Sequence, residues 1–430
     1  MRRLALRRRR GFTLVELMIS LVMGLIIALA AVGLARTSTT TFYEQARVSG
    51  VEANVRAASE RLRSDLSRVA YMSTPNIRWD SRLARTPGAV GDPYRILALQ
   101  DLQGIRIGKA DAIRNHAYSV RNEITPHEIH IAGNLTSDDV YRGQLMAADG
   151  AGCGGTQVRL SGDADPAVRR LFNGETSSAG RKSMTQVVFM PGEKMNPAVT
   201  GVQYAVQVMD MRGCFHYLTV CGVDESAQPN SVVLRLAGGI LTTVDTGGDV
   251  CGTRLMEEVA IAPIQRVRWN LAVENDARRI DTTLDGKDAP NKFNLYRQVL
   301  AANGTTEVGP PELIAEYAVD LKLGLVVDSS ASGNPPAFSN FDFEADDSKV
   351  EEWAGPASTS TQARGAHRIR SVRYRLAFRT PFPDRRADLP MPSGPPYISR
   401  YCMGADPCVE WARVRTVISE VALLNQAKAY

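Results

Sequence analysis

A single carboxylate stands inside an otherwise apolar stretch near the start of this 430-residue chain. The segment Gly11-Phe12-Thr13-Leu14-Val15-Glu16 leads into residues 17–35, which are mostly apolar. Six arginines precede it: Arg2, Arg3 and Arg7 to Arg10. A basic flank before about 19 apolar residues has the makings of a membrane span or a signal peptide. No small-x-small cleavage site follows the run; a glycine sits before it instead. An acid at the centre of a membrane helix costs about 2.5–3.5 kcal/mol, and less near an end, so Glu16 implies a compensating partner. A cut after Gly11 would free the Phe12 amine. On a neighbouring chain that amine could pair with Glu16 in a low dielectric and set the stagger between helices.

The remaining residues with chemical potential are dispersed. Of the histidines, His116, His127, His130, His216 and His367, only His127 and His130 are close in sequence, and on a strand a spacing of three puts them on opposite faces. No nucleophile elbow, phosphate-binding loop or dinucleotide fingerprint is present, so no enzyme and no cofactor are expected. Asp281, Asp285 and Asp288 around Gly286, and the acids of 342–347, carry oxygen ligands without the spacing of a calcium loop. They read as solvated acidic loops, with no metal. Arg373, Arg375 and Arg379 share one strand face, with Arg364, Arg368 and Arg370 before them, and are expected to be solvated.

Six cysteines, Cys153, Cys214, Cys221, Cys251, Cys402 and Cys408, all follow the apolar run. An even number beyond a membrane span suggests up to three disulfides. Cys402 and Cys408 flank the turn-like Met-Gly-Ala-Asp-Pro and are expected to pair with each other. Cys214 and Cys221 bracket a strand, which sets them about 23 Å apart, too far to bridge. Their expected partners are Cys153 and Cys251. Zinc is disfavoured because no Cys-x-x-Cys pair or Cys/His cluster occurs.

The elements that must carry these residues can be read next. Apolar content of 44% and charged content of 23% are those of a globular protein with a core. The formal charge is +5, and the loss of Met1–Gly11 with its six arginines turns it to −1, so nothing points to nucleic acid. The arginines before the span predict a cytoplasmic N-terminus and an external head.

Residues 12–69 read as one helix without proline, bounded by Pro75. Its transmembrane half is 12–35, with Gly24 and Gly33. Its amphipathic half is 36–70, where Val48, Val51, Val55, Ala58, Leu62, Leu66 and Val69 form a stripe between Glu52, Arg56, Glu60, Arg61, Arg63 and Asp65.

Beyond residue 71 the chain is β-rich, with candidate strands at 94–99, 128–132, 186–190, 202–209, 215–220 and 231–236. Clearer alternation follows at Val267, Trp269, Leu271 and Val273, at Tyr317 to Leu325, and at Val372, Tyr374, Leu376 and Phe378. Each of the first two patterns puts one face on a core and the other toward solvent or a partner. A last strand covers about 414–424, after a proline-rich 381–396. Residues 329–361 read as an exposed loop insertion. The fold class is α+β: one long N-terminal helix packed on a large antiparallel β-rich head, whose first part is 71–255 and second part 256–430.

Arg-Gly-Phe-Thr-Leu-Val-Glu-Leu-Met-Ile (10–19) resembles the class III signal of type IV pilins and pseudopilins. The resemblance implies cleavage between Gly11 and Phe12 by a prepilin peptidase, N-methylation of Phe12, and a role in assembly for Glu16, the fifth mature residue. Further segments, 129–136, 267–271, 294–297, 312–325, 370–379 and 417–425, are similar to PilW-type minor pilins, the last two also to J-type pseudopilins.

The implied protein is a minor type IV pilin that primes pilus assembly and sits at or near the tip. Its implied partners are prepilin peptidase, other minor pilins and the major pilin, the inner-membrane pilus assembly machinery and a tip adhesin. Before assembly it would be a single-pass inner-membrane protein with a periplasmic head; afterwards it would lie in the pilus. The alternatives are a type II secretion pseudopilin of the filament tip and a tip-presented adhesin. Twitching motility, adhesion and DNA uptake are all open as the filament's task.

Overall fold

The structure is a computed structural model and describes residues 13–84, 99–147, 156–172, 188–189, 204–228, 231–237, 251, 253–273, 292–330, 334–343, 347–383, 399–404, 408 and 410–429. The N-terminal helix runs Leu14–Ser67. By contacts the chain divides into two units, Met1–Ala53 and Asn54–Tyr430.

In the second unit the helix buries Val55, Ala58, Leu62 and Leu66, at three- and four-residue spacing, as an amphipathic stripe requires. Asp65, read from the sequence as part of the polar face, is buried instead. Its carboxylate accepts from Trp269 Nε1 at 2.9 Å and Arg297 Nε at 2.7 Å. The helix leaves its axis through Ala70 and Met72, both with positive φ (56° and 48°). Here Ala70 N donates to Ala132 O and Asn134 N to Tyr71 O. A Cβ on Gly133 would lie 2.3 Å from Arg68 O, so only glycine lets this strand end meet the helix end.

The head contains fifteen described strands, every named pairing antiparallel. β1 (Ile105–Lys109), β2 (His127–Gly133), β8 (Glu258–Val273), β9 (Phe293–Leu300) and β10 (Glu312–Ala315) form one run of neighbours. The first half of β8 belongs to a second run. There β3 (Tyr141–Met146), β4 (Gln157–Ser161), β7 (Ser231–Ala237), β6 (Phe215–Gln228) and β5 (Tyr204–Met209) follow one another, and β3 and β5 both pair with β8. These six strands close a ring around Tyr141, Leu160, Val206, Val220, Leu234 and Ile261. Pro263 lies in the gap where β3 has ended, opposite Ile261, and β2 has not begun, opposite Gln265.

A separate sheet has the order β12 (Phe338–Phe341), β11 (Ala318–Asp328), β13 (Ile369–Arg379), β15 (Trp411–Ala422) and β14 (Arg400–Cys402).

Three sequence readings need correction. First, β11 does not turn one face to solvent: Asp320 is 1% exposed and Lys322 6%. Second, the arginines of β13 are not a solvated face. Arg375 donates to Asp320 Oδ2 through Nε (3.1 Å) and Nη2 (2.7 Å), and Arg379 is 1% exposed. Third, 329–361 is more than an exposed loop. Its described part pairs β12 with β11, places the helix Asp347–Ala354 beside them, and buries Phe343, Val350 and Trp353. The insertion supplies the cover under which these charges pair. Likewise Arg266 on β8 is buried and donates through Nη1 to Ala302 O at 2.7 Å.

The strands expected at 128–132, 202–209, 215–220 and 231–236 correspond to β2, β5, β6 and β7. Of 186–190 only Val188 and Phe189 are described, and they are helical and buried, not extended. Most of 94–99 lies outside the described residues.

Asp65→Ala would strip Arg297 and Trp269 of a buried acceptor and is expected to cost about 3 kcal/mol. Arg61→Ala, which breaks a 3.5 Å pair with Glu312 between half-exposed side chains, should cost less than about 1 kcal/mol. Urea unfolding of the two full-length variants in detergent measures the contrast.

Candidate functional site

The chemistry-bearing segment is the start of the N-terminal helix. Thr13 precedes the first helical residue, Leu14, so Glu16 occupies the third helical position. Thr13 N and Thr13 Oγ1 both donate to Glu16 Oε2, at 3.0 and 3.1 Å, and Glu16 N donates to Thr13 Oγ1 at 3.3 Å. This is a reciprocal capping box, in which a threonine and a glutamate three residues apart satisfy each other's backbone N–H. Its sequence signature, Thr-x-x-Glu before an apolar run, was there to be read, and reading Glu16 only as the partner of another chain passes over it. The negative carboxylate also lies at the positive end of the helix dipole.

Along the rest of this unit, apolar side chains face outward all round: Leu17, Ile19, Leu21, Leu25, Ile27 and Leu29 are each more than half exposed. The polar residues among and after them bond inward. Ser20 Oγ donates to Glu16 O at 2.7 Å, Thr37 Oγ1 to Gly33 O at 3.0 Å, and Thr39 Oγ1 to Ala35 O at 2.8 Å. A hydroxyl bonded to the carbonyl one turn back loses little in an apolar solvent. Among the described residues this is the one helix long and apolar enough to cross a membrane.

Gly11 and Phe12 lie outside the described residues, as does Cys153. Disulfides join Cys214 to Cys251 and Cys402 to Cys408. Cys221 is disulfide-bonded. Asp281, Asp285 and Asp288 also fall outside. Of the acids in 342–347, Asp342 pairs with Arg373 at 3.2 Å, and Asp347 accepts from three cationic or donor groups. No group of three metal-ligating side chains occurs among the described residues.

The Asp347 cluster fastens the insertion to the head. Arg114 Nη1 lies 2.6 Å, His127 Nε2 2.9 Å and Lys322 Nζ 2.9 Å from its oxygens. Leu323 N donates to His127 Nδ1 at 3.1 Å, so Nε2 carries the proton given to Asp347 and the ring is neutral. Burial pushes the His127 pKa down, against the pull of Asp347. Burial alone would raise the Asp347 carboxyl, but the hydrogen bonds from His127, Arg114 and Lys322 hold it far below the usual carboxylate range.

The other histidines also have partners within the head. His116 Nδ1 caps a short helix through Tyr118 N, His130 meets Glu128 at 3.2 Å, and His216 meets Asp210 at 3.3 Å. His367 Nε2 lies 3.2 Å from Gln362 O, and burial pulls its pKa down to about 4.

Residues 6–32 match the prokaryotic N-terminal methylation motif. No curated protein and no solved structure matches the chain. The match covers Gly11 and Phe12, the capping box and most of the apolar helix. It supports a type IV pilin- or pseudopilin-like protein with a class III signal, and the N-terminal helix, long and apolar enough to cross a membrane, fits a membrane anchor on a pilin-like α+β frame.

Buried neutral histidines make the head acid-sensitive. The unfolded chain takes up protons near pH 6.5 that folded His367 refuses until about 4, so stability is complete above about 6.5 and declines as pH falls toward 4. His127, lowered in the same direction, adds to the slope. Urea midpoints measured from pH 7.5 to 4.5 should fall, and His367→Gln should flatten the fall while lowering the midpoint at neutral pH.

Proposed function

We propose that this chain is a minor type IV pilin of the PilW type, which acts by assembly and not by catalysis. In this reading prepilin peptidase removes Met1–Gly11 and the new Phe12 amine is methylated. The helix then packs against neighbouring helices in a filament, with Glu16 facing the Phe12 amine of an adjacent subunit. The observation that carries the reading is the match of residues 6–32 to the methylation motif, with Glu16 as the acid in an apolar helix.

The capping box is compatible with this chemistry. Cleavage after Gly11 leaves Thr13 in place, so the carboxylate has an acceptor role inside its own chain before any neighbour arrives. One oxygen, Oε2, takes both Thr13 bonds, and the other is free of them. An amine from an adjacent helix would meet a carboxylate already held in one rotamer, which lowers the entropic cost of pairing.

The size of the head supports low copy number. A compact domain of about 360 residues has a radius of gyration near 21 Å, and copies of that size crowd one another along a helical shaft. A place at or near the tip, in a priming complex with other minor pilins, relieves that crowding. The partners in this reading are prepilin peptidase, the other minor pilins, the major pilin, the inner-membrane assembly machinery and a tip adhesin.

Deletion of the gene tests the reading. Surface pili should drop at least tenfold, and complementation with Glu16→Ala should fail to restore them while the protein still accumulates in the membrane. Normal piliation in the deletion strain would contradict a priming role.

A further inference from the structure

A cleft of about 270 Å³ opens where the N-terminal helix hands over to the head, and all of its lining residues are among those described. Its floor is the outer side of the β5–β8 pair. Val206, Val208 and Ile261 point into the ring, so their strand neighbours Gln207, Met209, Ala260 and Ala262 face the other way. Gln207 lies opposite Ala262, and Met209 opposite Ala260. The two alanines leave depth where larger side chains would fill the floor. Phe215, opposite Met209 on β6, and Met72, held at a φ of 48° where the chain leaves the helix, supply apolar sides.

Two groups of opposite charge stand in this apolar setting, Asp80 and Arg82. The Asp80 carboxylate is held from two directions. Arg82 N donates to Oδ1 at 3.0 Å, and Tyr217 OH donates to Oδ2 at 2.9 Å. Tyr217 in turn accepts from Gln207 Nε2 at 3.0 Å. Burial pushes the Tyr217 hydroxyl well above its ordinary pKa, so it remains a donor. A carboxylate offers about four acceptor positions, so each Asp80 oxygen keeps room for another donor.

The Arg82 guanidinium lies over the Phe215 ring, 4.3 Å from its centroid. Among the described residues its side chain has no acid or carbonyl partner. The ring contact fixes the guanidinium and leaves its N–H fork to other acceptors. Ser73, 8% exposed, also lines the cleft, and its Oγ has no hydrogen-bond partner among the described residues. Buried hydroxyls are nearly always paired, so this one marks a spot that the chain alone does not complete.

We propose that this cleft binds a free apolar α-amino acid of about leucine size, with its carboxylate on the Arg82 guanidinium, its ammonium on Asp80 and its side chain over Ala260 and Ala262. The pair of charges selects the ligand. A carboxylate alone would meet Asp80 and an amine alone would meet Arg82, whereas a zwitterion is matched at both ends. The planar fork of an arginine suits a carboxylate in particular. Ligand clefts commonly begin at about 300 Å³, so this one takes a single residue and not a chain. Both charged groups are fixed before a ligand arrives, Arg82 by Phe215 and Asp80 by Tyr217 and the backbone, which limits the freedom lost on binding. This inference does not rest on the assembly reading above.

Isothermal titration of the full-length protein in detergent provides the test, with L-leucine and L-methionine as probes. At least one should bind with a dissociation constant of about 1 mM or tighter. Isocaproate, which is leucine without its ammonium, and isoamylamine, which is leucine without its carboxylate, should each bind at least about tenfold more weakly. These comparisons use the native protein, so they do not depend on how any variant folds. Arg82→Gln removes the charge, and Ala260→Leu fills the floor. Each should weaken binding of the amino acid at least about tenfold with an unchanged circular dichroism spectrum. No binding of either amino acid to the native protein, isocaproate or isoamylamine binding as tightly as leucine, or full affinity in a folded Arg82→Gln would overturn the proposal.

Discussion

A carboxylate on a helix whose other side chains suit lipid must be satisfied by something, and Glu16 sets that demand at the very start of the fold. Within the chain, Thr13 meets part of it through a backbone N–H and a hydroxyl on the same oxygen. The arrangement does two jobs at once. It completes the first turn of a helix whose leading N–H groups have no partners of their own, and it fixes the acid's rotamer at the helix's positive end. The hydroxyls of Ser20, Thr37 and Thr39 follow the same rule one turn at a time. Ser20, in the apolar part of the helix, is satisfied by its own backbone, which leaves the charge of Glu16 as the group for which a partner's cation is most valuable.

The head solves a different problem, the burial of charge without loss of stability. Asp65 on the helix meets Arg297 and Trp269, Asp320 meets Arg375, and Asp347 gathers Arg114, His127 and Lys322. Each acid lies far along the chain from its partners, so these pairs hold elements together that the local sequence leaves independent. Removing one partner of such a pair leaves an uncompensated charge, and the Asp347 cluster in this way ties the insertion to β11 through Lys322.

Much of the frame was legible in the residues. The three- and four-residue stripe from Val55 to Leu66 placed the helix face, and the alternation around Trp269 placed the core side of β8. The opposite faces of β11 and β13 were not legible, because solvation of Lys322 or Arg375 depends on acids and cover elsewhere, and that cover comes from a segment whose Ser, Pro and acid content reads as a loop. The closed ring was also hidden. It needs β8 to serve two sheets, and only Pro263, in the middle of an otherwise apolar strand, hints at the change. At the candidate site the signal is local: Gly11, Phe12 and Glu16 lie within six residues, so the sequence alone brings them together, while Gly11 and Phe12 fall outside the described residues. Thr13 was missed although its spacing from Glu16 is the usual one for a cap.

The account turns on processing between Gly11 and Phe12, because only a freed amine gives Glu16 a cationic partner on a neighbouring helix. Mass spectrometry of the N-terminal peptide from membrane and sheared-surface fractions reads this directly. N-methylated Phe12 as the first residue is the result expected. An N-terminus that retains the arginine segment on surface material would contradict the account.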